Sequence, residues 1–368
     1  MEISVIIPVY NGGDKLQKCI SALKRQRTSR PYELIIVDDG STDGGLQKVK
    51  EDGFRVFKQA NQGPAAARNL GVANAQGRIV LFTDADCEPH EDWIEEMVRY
   101  LEDPAISAVK GSYLTKQKQI VARFVQIEYE SKYERMKKDR YIDFIDTYAA
   151  GFKIEDFRRV GKYDTRFPTA SVEDQEFSFR MWGQGYRMVF NPEARVYHTH
   201  SSTLWNYAKK KFRIGFWKAL VLKRHPRKIA RDSHTPQTLK LEMVFATLLL
   251  ISLLASLWKD ALLFGALFSL IGFLVTSLPF VLGAFRKDPV IALFSPFLLF
   301  VRALSLSLGL MVGACKFSMR KDEAMGERAL EQPGEQARFV PHQYARGMIT
   351  ACMQKGSRIL SFLVFWWS

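Results

Sequence analysis

The stretch LFTDADCEP (81–89) begins as an apolar run and then sets two carboxylates, Asp84 and Asp86, one residue apart. Like charges in so small a space raise each other's cost of ionising. The pair is therefore either a solvated turn or one side of a cation site, since hard divalent cations take carboxylate oxygens and keep water and substrate phosphates as their other ligands. Its place in the chain favours the cation. It ends RIVLFTD (78–84), the last of four short β-branched runs; the others are ISVIIPV (3–9), ELIIVDD (33–39) and FRVFKQ (54–59). Between them, DKLQKCISALKRQ (14–26), DGGLQKVKED (43–52) and GPAAARNLGVANA (63–75) carry apolar residues at helical spacing. This alternation predicts an α/β fold, a parallel sheet covered by helices on both faces. Ligands of such sheets collect beyond the carboxyl ends of the strands. There stand Tyr10 and Asn11 after the first strand, Asp38 and Asp39 at the end of the second, and Asp84 and Asp86 after the fourth.

The first run is followed by NGGDK, which has neither the dinucleotide spacing G-x-G-x-x-G nor a phosphate loop. Phosphates at this rim are expected to meet a metal and basic side chains, with Arg68 of AAARN a candidate. The 368 residues carry a formal charge of +14, which suits an anionic partner. Cys19, Cys87, Cys315 and Cys352 form no close-spaced pair, so neither a zinc site nor a disulfide scaffold is expected. MEISVIIPVYN enters a strand at once, without the charged start and apolar stretch of a signal peptide.

Four segments together, VIIPVYN (5–11), IIVDDGSTD (35–43), NQGPAAARNLGVANAQGRIVLFTDAD (61–86) and VEDQEFSFRMWGQGYRMVFNP (172–192), resemble the inverting family 2 glycosyltransferases, which have the nucleotide-sugar-binding GT-A fold. They span most of residues 1–200 in the family's order. The resemblance implies that Pro8 and Tyr10, with Asn11 beside them, flank the nucleotide base, and that Asp39 accepts from the base or ribose. It implies Arg68 near the diphosphate, and Asp86, helped by Asp84, on a divalent cation, Mg2+ or Mn2+. In SVEDQEF, Asp174 would be the base that deprotonates the acceptor hydroxyl, with Glu173 beside it as the second carboxylate. Both also stand where acids cap a helix N-terminus. VYHTH (196–200) offers His198 or His200 to complete the metal or diphosphate site, with His198 preferred.

TLWNYAKKKFRIGFWKALVLKRHPRK (203–228) mixes aromatic and basic residues, as an interfacial helix on an anionic lipid surface does. The same mixture also suits single-stranded nucleic acid, but the segment adjoins apolar spans, so membrane lipid and not nucleic acid is the expected partner. Processive members of the family carry Q-x-x-R-W near here. KKKFRIGFW has no such glutamine or adjoining tryptophan, which points to transfer of one sugar, with Lys210, Lys211 or Arg213 expected to gate the diphosphate or meet a lipid phosphate, and Lys210 and Arg213 taken as the candidates for nucleotide-sugar binding. RFVQIEYESKYERMKKDR (123–140) reads as a helical insertion on the acceptor side.

Three segments, about 243–258, 261–285 and 290–314, are apolar enough for a bilayer, which needs roughly 20 residues per helix. The third carries Pro296 and Arg302, so it either crosses, re-enters, or uses Arg302 to meet a lipid phosphate or a neighbouring helix. The expected plan is a GT-A domain (1–202), a basic interfacial region (203–235), membrane helices (236–315) and a tail (316–368). The basic flank places the N-terminal domain on the cytoplasmic side of the membrane. The function expected is metal-dependent, inverting transfer of one sugar from a nucleotide-diphosphate sugar to a lipid-linked or cell-envelope glycan. The alternatives are a sugar-1-phosphate nucleotidyltransferase, although VYNGGDKLQ lacks the arginine that chemistry needs, and a membrane adaptor without catalysis.

Overall fold

The computed structural model describes residues 1–47, 49, 53–167, 171–229, 232–233 and 235–318. The first half runs β1 (Ile3–Val9), α1 (Gly13–Lys24), β2 (Tyr32–Asp38), β3 (Phe54–Lys58), α2 (Pro64–Ala73), β4 (Ile79–Phe82), β5 (Cys87–Pro89) and α3 (Trp93–Leu101). It continues through β6 (Ala108–Leu114), α4 (Ile120–Met136), β7 (Ala150–Lys153), α5 (Ile154–Val160), α6 (Glu173–Gly183) and β8 (Met188–His198). Four helices follow: α7 (Leu204–Arg224), α8 (Gln237–Ser256), α9 (Leu262–Lys287) and α10 (Pro289–Ser318).

The strands form one sheet in the order β3-β2-β1-β4-β7-β6-β8-β5. β1 to β4 pair in parallel, as the alternating pattern predicts, and their side chains are buried on both faces except in the edge strand β3. The sheet as a whole is mixed, which corrects the expectation of a parallel one. β7 lies antiparallel between β4 and β6, and β5 lies antiparallel to β8. The reason is the route of the chain. After β4 it leaves through the Asp84–Asp86 turn and α3, then returns in β6 and β7, whose short runs AVKGSYL and AGFK carry little β-branched signal. The helix predicted over 43–52 is not formed in its described part. Gly44 takes a positive φ of 66°, and the Asp43 carboxylate accepts from the amides of Gly13 and Gly45, fixing turns instead; residues 48 and 50–52 lie outside the described residues.

α2 begins as its sequence dictates, with Pro64 in the first turn, where a missing N–H is harmless. Gly71 in the same helix lets it approach β1, since a Cβ there would collide with Ile6. The predicted insertion is present as α4. α8, α9 and α10 are long and apolar enough to cross a membrane. α8 starts before the predicted segment and takes in Glu242, a charge at which the hydropathy reading stopped. α10 is continuous for 30 residues through Pro296 and Arg302, so it does not turn back on itself as a re-entrant segment would. The tail from residue 319 lies outside the described residues.

Candidate active site

The parallel strands deliver their polar ends to one rim. Tyr10, just past β1, is 53% exposed, so its ring is free to stack, and Pro8 is half-buried beside it. Asn11 takes a positive φ of 52°. Its amide N–H donates to Ser41 Oγ at 2.9 Å, and its Oδ1 accepts from the Thr42 N–H at 2.8 Å, tying the tip of β1 to the loop after β2. Asp39 is buried, and the loop between β3 and α2 engages it. Oδ1 accepts from Gln59 Nε2 (2.7 Å) and the Gln62 N–H (2.8 Å), and Oδ2 from the Gly63 N–H (2.9 Å). The carboxylate that was expected to read a base or ribose therefore also builds the turn into α2.

Arg68, expected near the diphosphate, is 2% exposed, and its guanidinium donates to Asp84 Oδ1 (2.8 Å) and Glu173 Oε1 (3.1 Å). It joins two carboxylates at the rim. Glu173 is correspondingly occupied, since its Oε2 accepts from the Ser171 N–H at 2.8 Å. Its neighbour Asp174 accepts, among the described residues, from the adjacent Gln175 N–H at 2.7 Å. Both stand in the first turn of α6, where the helix dipole favours acids. Burial, then Glu173 beside it, push the Asp174 carboxyl well above the usual carboxylate range, while Arg68 and Lys110 pull it down. A carboxylate with a pKa raised towards neutrality is suited to accept a proton at physiological pH.

Lys110 was not singled out by the sequence reading, although a lysine inside the strand AVKGSYL was a signal. It is buried, in contact with Asp146, with its ammonium 5.2 Å from the ring centres of Phe144 and Tyr148. Burial lowers its pKa to about 7 against the attraction of Asp174.

The expected metal ligands divide. Asp86 Oδ2 and His198 Nε2 lie 3.6 Å apart, and Asp86, Cys87 and His198 each offer a donor atom within 4.8 Å of the others. Asp84 is not part of this group, because Arg68 draws its side chain away. Cys87 takes the third place, and no sequence spacing showed it: β5 runs antiparallel to β8 with Cys87 opposite His198. The donor set fits a divalent cation. Burial lowers the His198 imidazole to about 3, leaving it neutral, with Nδ1 beside His200 Nδ1 at 3.1 Å and Nε2 towards Asp86. Burial also raises Asp86, opposed by Lys15 and Lys210, so further positive charge would be favourable there. A carboxylate and an imidazole beside a thiol suit a cation of intermediate hardness. His200, the other candidate, is otherwise satisfied: its Nε2 meets Gln126 Oε1 at 3.0 Å, and its ring stacks on Tyr129.

α7 brings the two basic candidates. Desolvation lowers the Lys210 ammonium, opposed first by the charge of Asp86. Arg213, three residues on, feels the charge of Glu173, and its buried Nε has no hydrogen-bond partner among the described residues. The charges of Asp86 and Glu173 thus act on two residues of α7. The sequence reading laid this helix along the lipid surface. In the structure one side of it instead packs on α10, where Gly215 faces the Leu306 carbonyl.

Residues 4–161 match the family described as glycosyl transferase family 2. Glycosyltransferase AglE of Haloferax volcanii is 36% identical over 117 residues, covering 30% of this chain and 38% of that protein. The pre-mycofactocin glycosyltransferase of Mycobacterium tuberculosis is 27% identical over 243 residues, 62% of this chain and 49% of that one. The chain therefore matches half or less of the length of these relatives. Among solved structures, the mannosyltransferase PcManGT from Pyrobaculum calidifontis, in complex with GDP-Man and Mn2+, superposes with a TM-score of 0.55 at 18% identity. That match covers 87% of this chain and 88% of the other. Residues 4–161 form a glycosyl transferase family 2 domain, the fold is of the GT-A kind, and three helices long and apolar enough to span a membrane follow.

Proposed function

We propose that the protein is a membrane-anchored, divalent-cation-dependent, inverting glycosyltransferase. It moves one sugar from a nucleotide-diphosphate donor to a lipid-linked or cell-envelope glycan acceptor. The observation that carries the reading is the convergence on one rim of Asp86 and His198, of the raised carboxyl of Asp174, and of Lys210 and Arg213. Asp86 and His198, with Cys87 beside them, would hold Mn2+ or Mg2+; a bound cation there offsets charge on the diphosphate. PcManGT, with GDP-Man and Mn2+ in its site, supports this choice of donor class and cation.

Tyr10 offers its exposed ring to the base, and Asn11 and Asp39 hold the loops on either side. Lys210 and Arg213 face the departing diphosphate. Asp174 accepts the proton of the acceptor hydroxyl as the oxygen attacks the anomeric carbon from the side opposite the leaving group, which inverts its configuration. Glu173 and Arg68 hold Asp174 and Asp84 apart and act by position.

The catalytic part extends to about residue 202, the basic region over 203–235 adjoins the inner leaflet, and residues 236–315 anchor the chain. The domain faces the cytoplasm. Purified full-length protein should hydrolyse or transfer from a nucleotide sugar only when Mn2+ or Mg2+ is present. Turnover unchanged by a chelator would overturn the cation assignment, and no turnover or binding with any nucleotide sugar would overturn the donor assignment.

A further inference from the structure

Arg302 lies within the apolar helix α10, yet it belongs to a closed set of charges. Its Nη1 donates to Glu128 Oε1 of α4 at 2.9 Å and its Nη2 to Glu242 Oε2 of α8 at 2.5 Å. Glu128 also accepts from Tyr207 Oη at 3.0 Å, and its Oε2 lies 3.1 Å from Lys211 Nζ, both on α7. Two carboxylates thus meet two cations, with all five side chains largely buried. With both terminal nitrogens engaged, Arg302 is not available to a lipid phosphate.

The same two helices, α7 and α10, touch backbone to backbone. A Cβ added at Gly215 would strike the Leu306 carbonyl oxygen, one at Gly309 that of Phe212, and one at Gly313 that of Phe216. Gly309 and Gly313 have the small-x-x-x-small spacing that lets apolar helices approach. With 3.6 residues per turn, α7 then presents three separate faces. Phe212, Gly215 and Phe216 face α10; Tyr207 and Lys211 face Glu128; Lys210 and Arg213, on which the charges of Asp86 and Glu173 act, lie on the remaining side by helical spacing. The glycine seam sets the distance between the helices. Glu128, itself held by Arg302, sets the rotation of α7 about its axis.

We infer that Arg302, acting through Glu128, is a positioning residue that holds α7 so that Lys210 and Arg213 meet the leaving nucleoside diphosphate. The inference rests on the donor class proposed above. Full-length protein in detergent is titrated with GDP and UDP in the presence of Mn2+, and its thermal unfolding is followed in parallel. The principal variant is Arg302→Met with Glu242→Leu, which removes the pair without leaving a lone charge in the apolar layer. It should unfold near the wild-type temperature but bind nucleoside diphosphate about tenfold more weakly, the lower end of what losing a supporting shell costs. Adding Lys210→Met should weaken binding by less than the sum of the two separate losses, because both changes remove the Lys210 contact. Arg302→Lys, which keeps the charge, should restore part of the affinity. Glu128→Gln breaks the same relay from the soluble side and decides the matter if the double variant does not fold. A folded relay variant with wild-type affinity, or losses that add to that of Lys210→Met, overturns the inference and leaves the donor assignment standing. A wild-type protein that binds neither GDP nor UDP overturns the donor assignment and the inference with it.

Discussion

Arg68 and Arg302 are built alike: 2% and 5% exposed, each arginine is gripped by two carboxylates from distant parts of the chain. What surrounds them differs. Around Arg302 the charges close, since Glu128 and Glu242 face Arg302 and Lys211. Around Arg68 they stay open: Asp84 and Glu173 take the arginine, while Asp86 and Asp174, acted on by Lys15, Lys210 and Lys110 at longer range, keep raised pKa values. A buried charge held by short ion pairs is architecture; a carboxylate left at the rim without such a partner is open to a ligand. The same local device thus serves as a brace in one region and as the frame of a site in the other.

The sharpest test of that contrast is Asp174→Asn. Removing a base should lower transfer by roughly 10²–10⁴-fold while nucleotide binding stays near wild type. Measured by single-turnover transfer and by titration of the nucleotide, a parallel loss of both would reduce Asp174 to a helix cap. Next in size is Arg68→Met. Leaving Glu173 buried and Asp84 half-buried without their partner should destabilise the fold by about 3 kcal/mol, the lower end for broken buried pairs. Thermal unfolding would read this, and an unchanged transition would show that the arginine braces nothing.

Gly309→Ala addresses the brace on the membrane side. Overpacking of a tight contact costs about 1–3 kcal/mol, so the variant should unfold earlier, whereas Gly283→Ala, with open space around it, should not. Equal effects at the two glycines would remove the seam from the account. The smallest effect concerns pH. The Asp174 carboxyl is raised in the folded protein, so its proton is lost, and transfer gained, as pH rises through a value above the usual carboxylate range. Linkage gives the corresponding sign for stability: the native state binds the proton more tightly, so this group's contribution falls as pH rises from the unfolded value to the raised one. A pH–rate profile whose acid limb sits near 4, the ordinary carboxylate value, would contradict the assignment.

The parallel half of the sheet was legible because β1, β2 and β4 are buried on both faces and must read as continuous apolar runs. β6, β7 and β8 were not, since glycine, lysine and polar residues interrupt them and only their neighbours make them strands. In the site, Asp86, His198 and Asp174 could be named from local motifs. The pairing of Arg68 could not, because Glu173 lies 105 residues away and only the fold brings it into reach. Cys87 was hidden for the same reason. The charge of Arg302 marked it in the sequence, whereas its partners, on α4 and α8, were visible only in three dimensions.

The pairing of Arg302 also bears on how the chain is assembled. Glu128 is synthesised 174 residues before Arg302, and Glu242 60 residues before it. Glu242 stands in the second turn of α8 and meets the arginine only once α10 is made, so the charges of α4, α8 and α10 can be matched only after all 30 residues of the last helix are present.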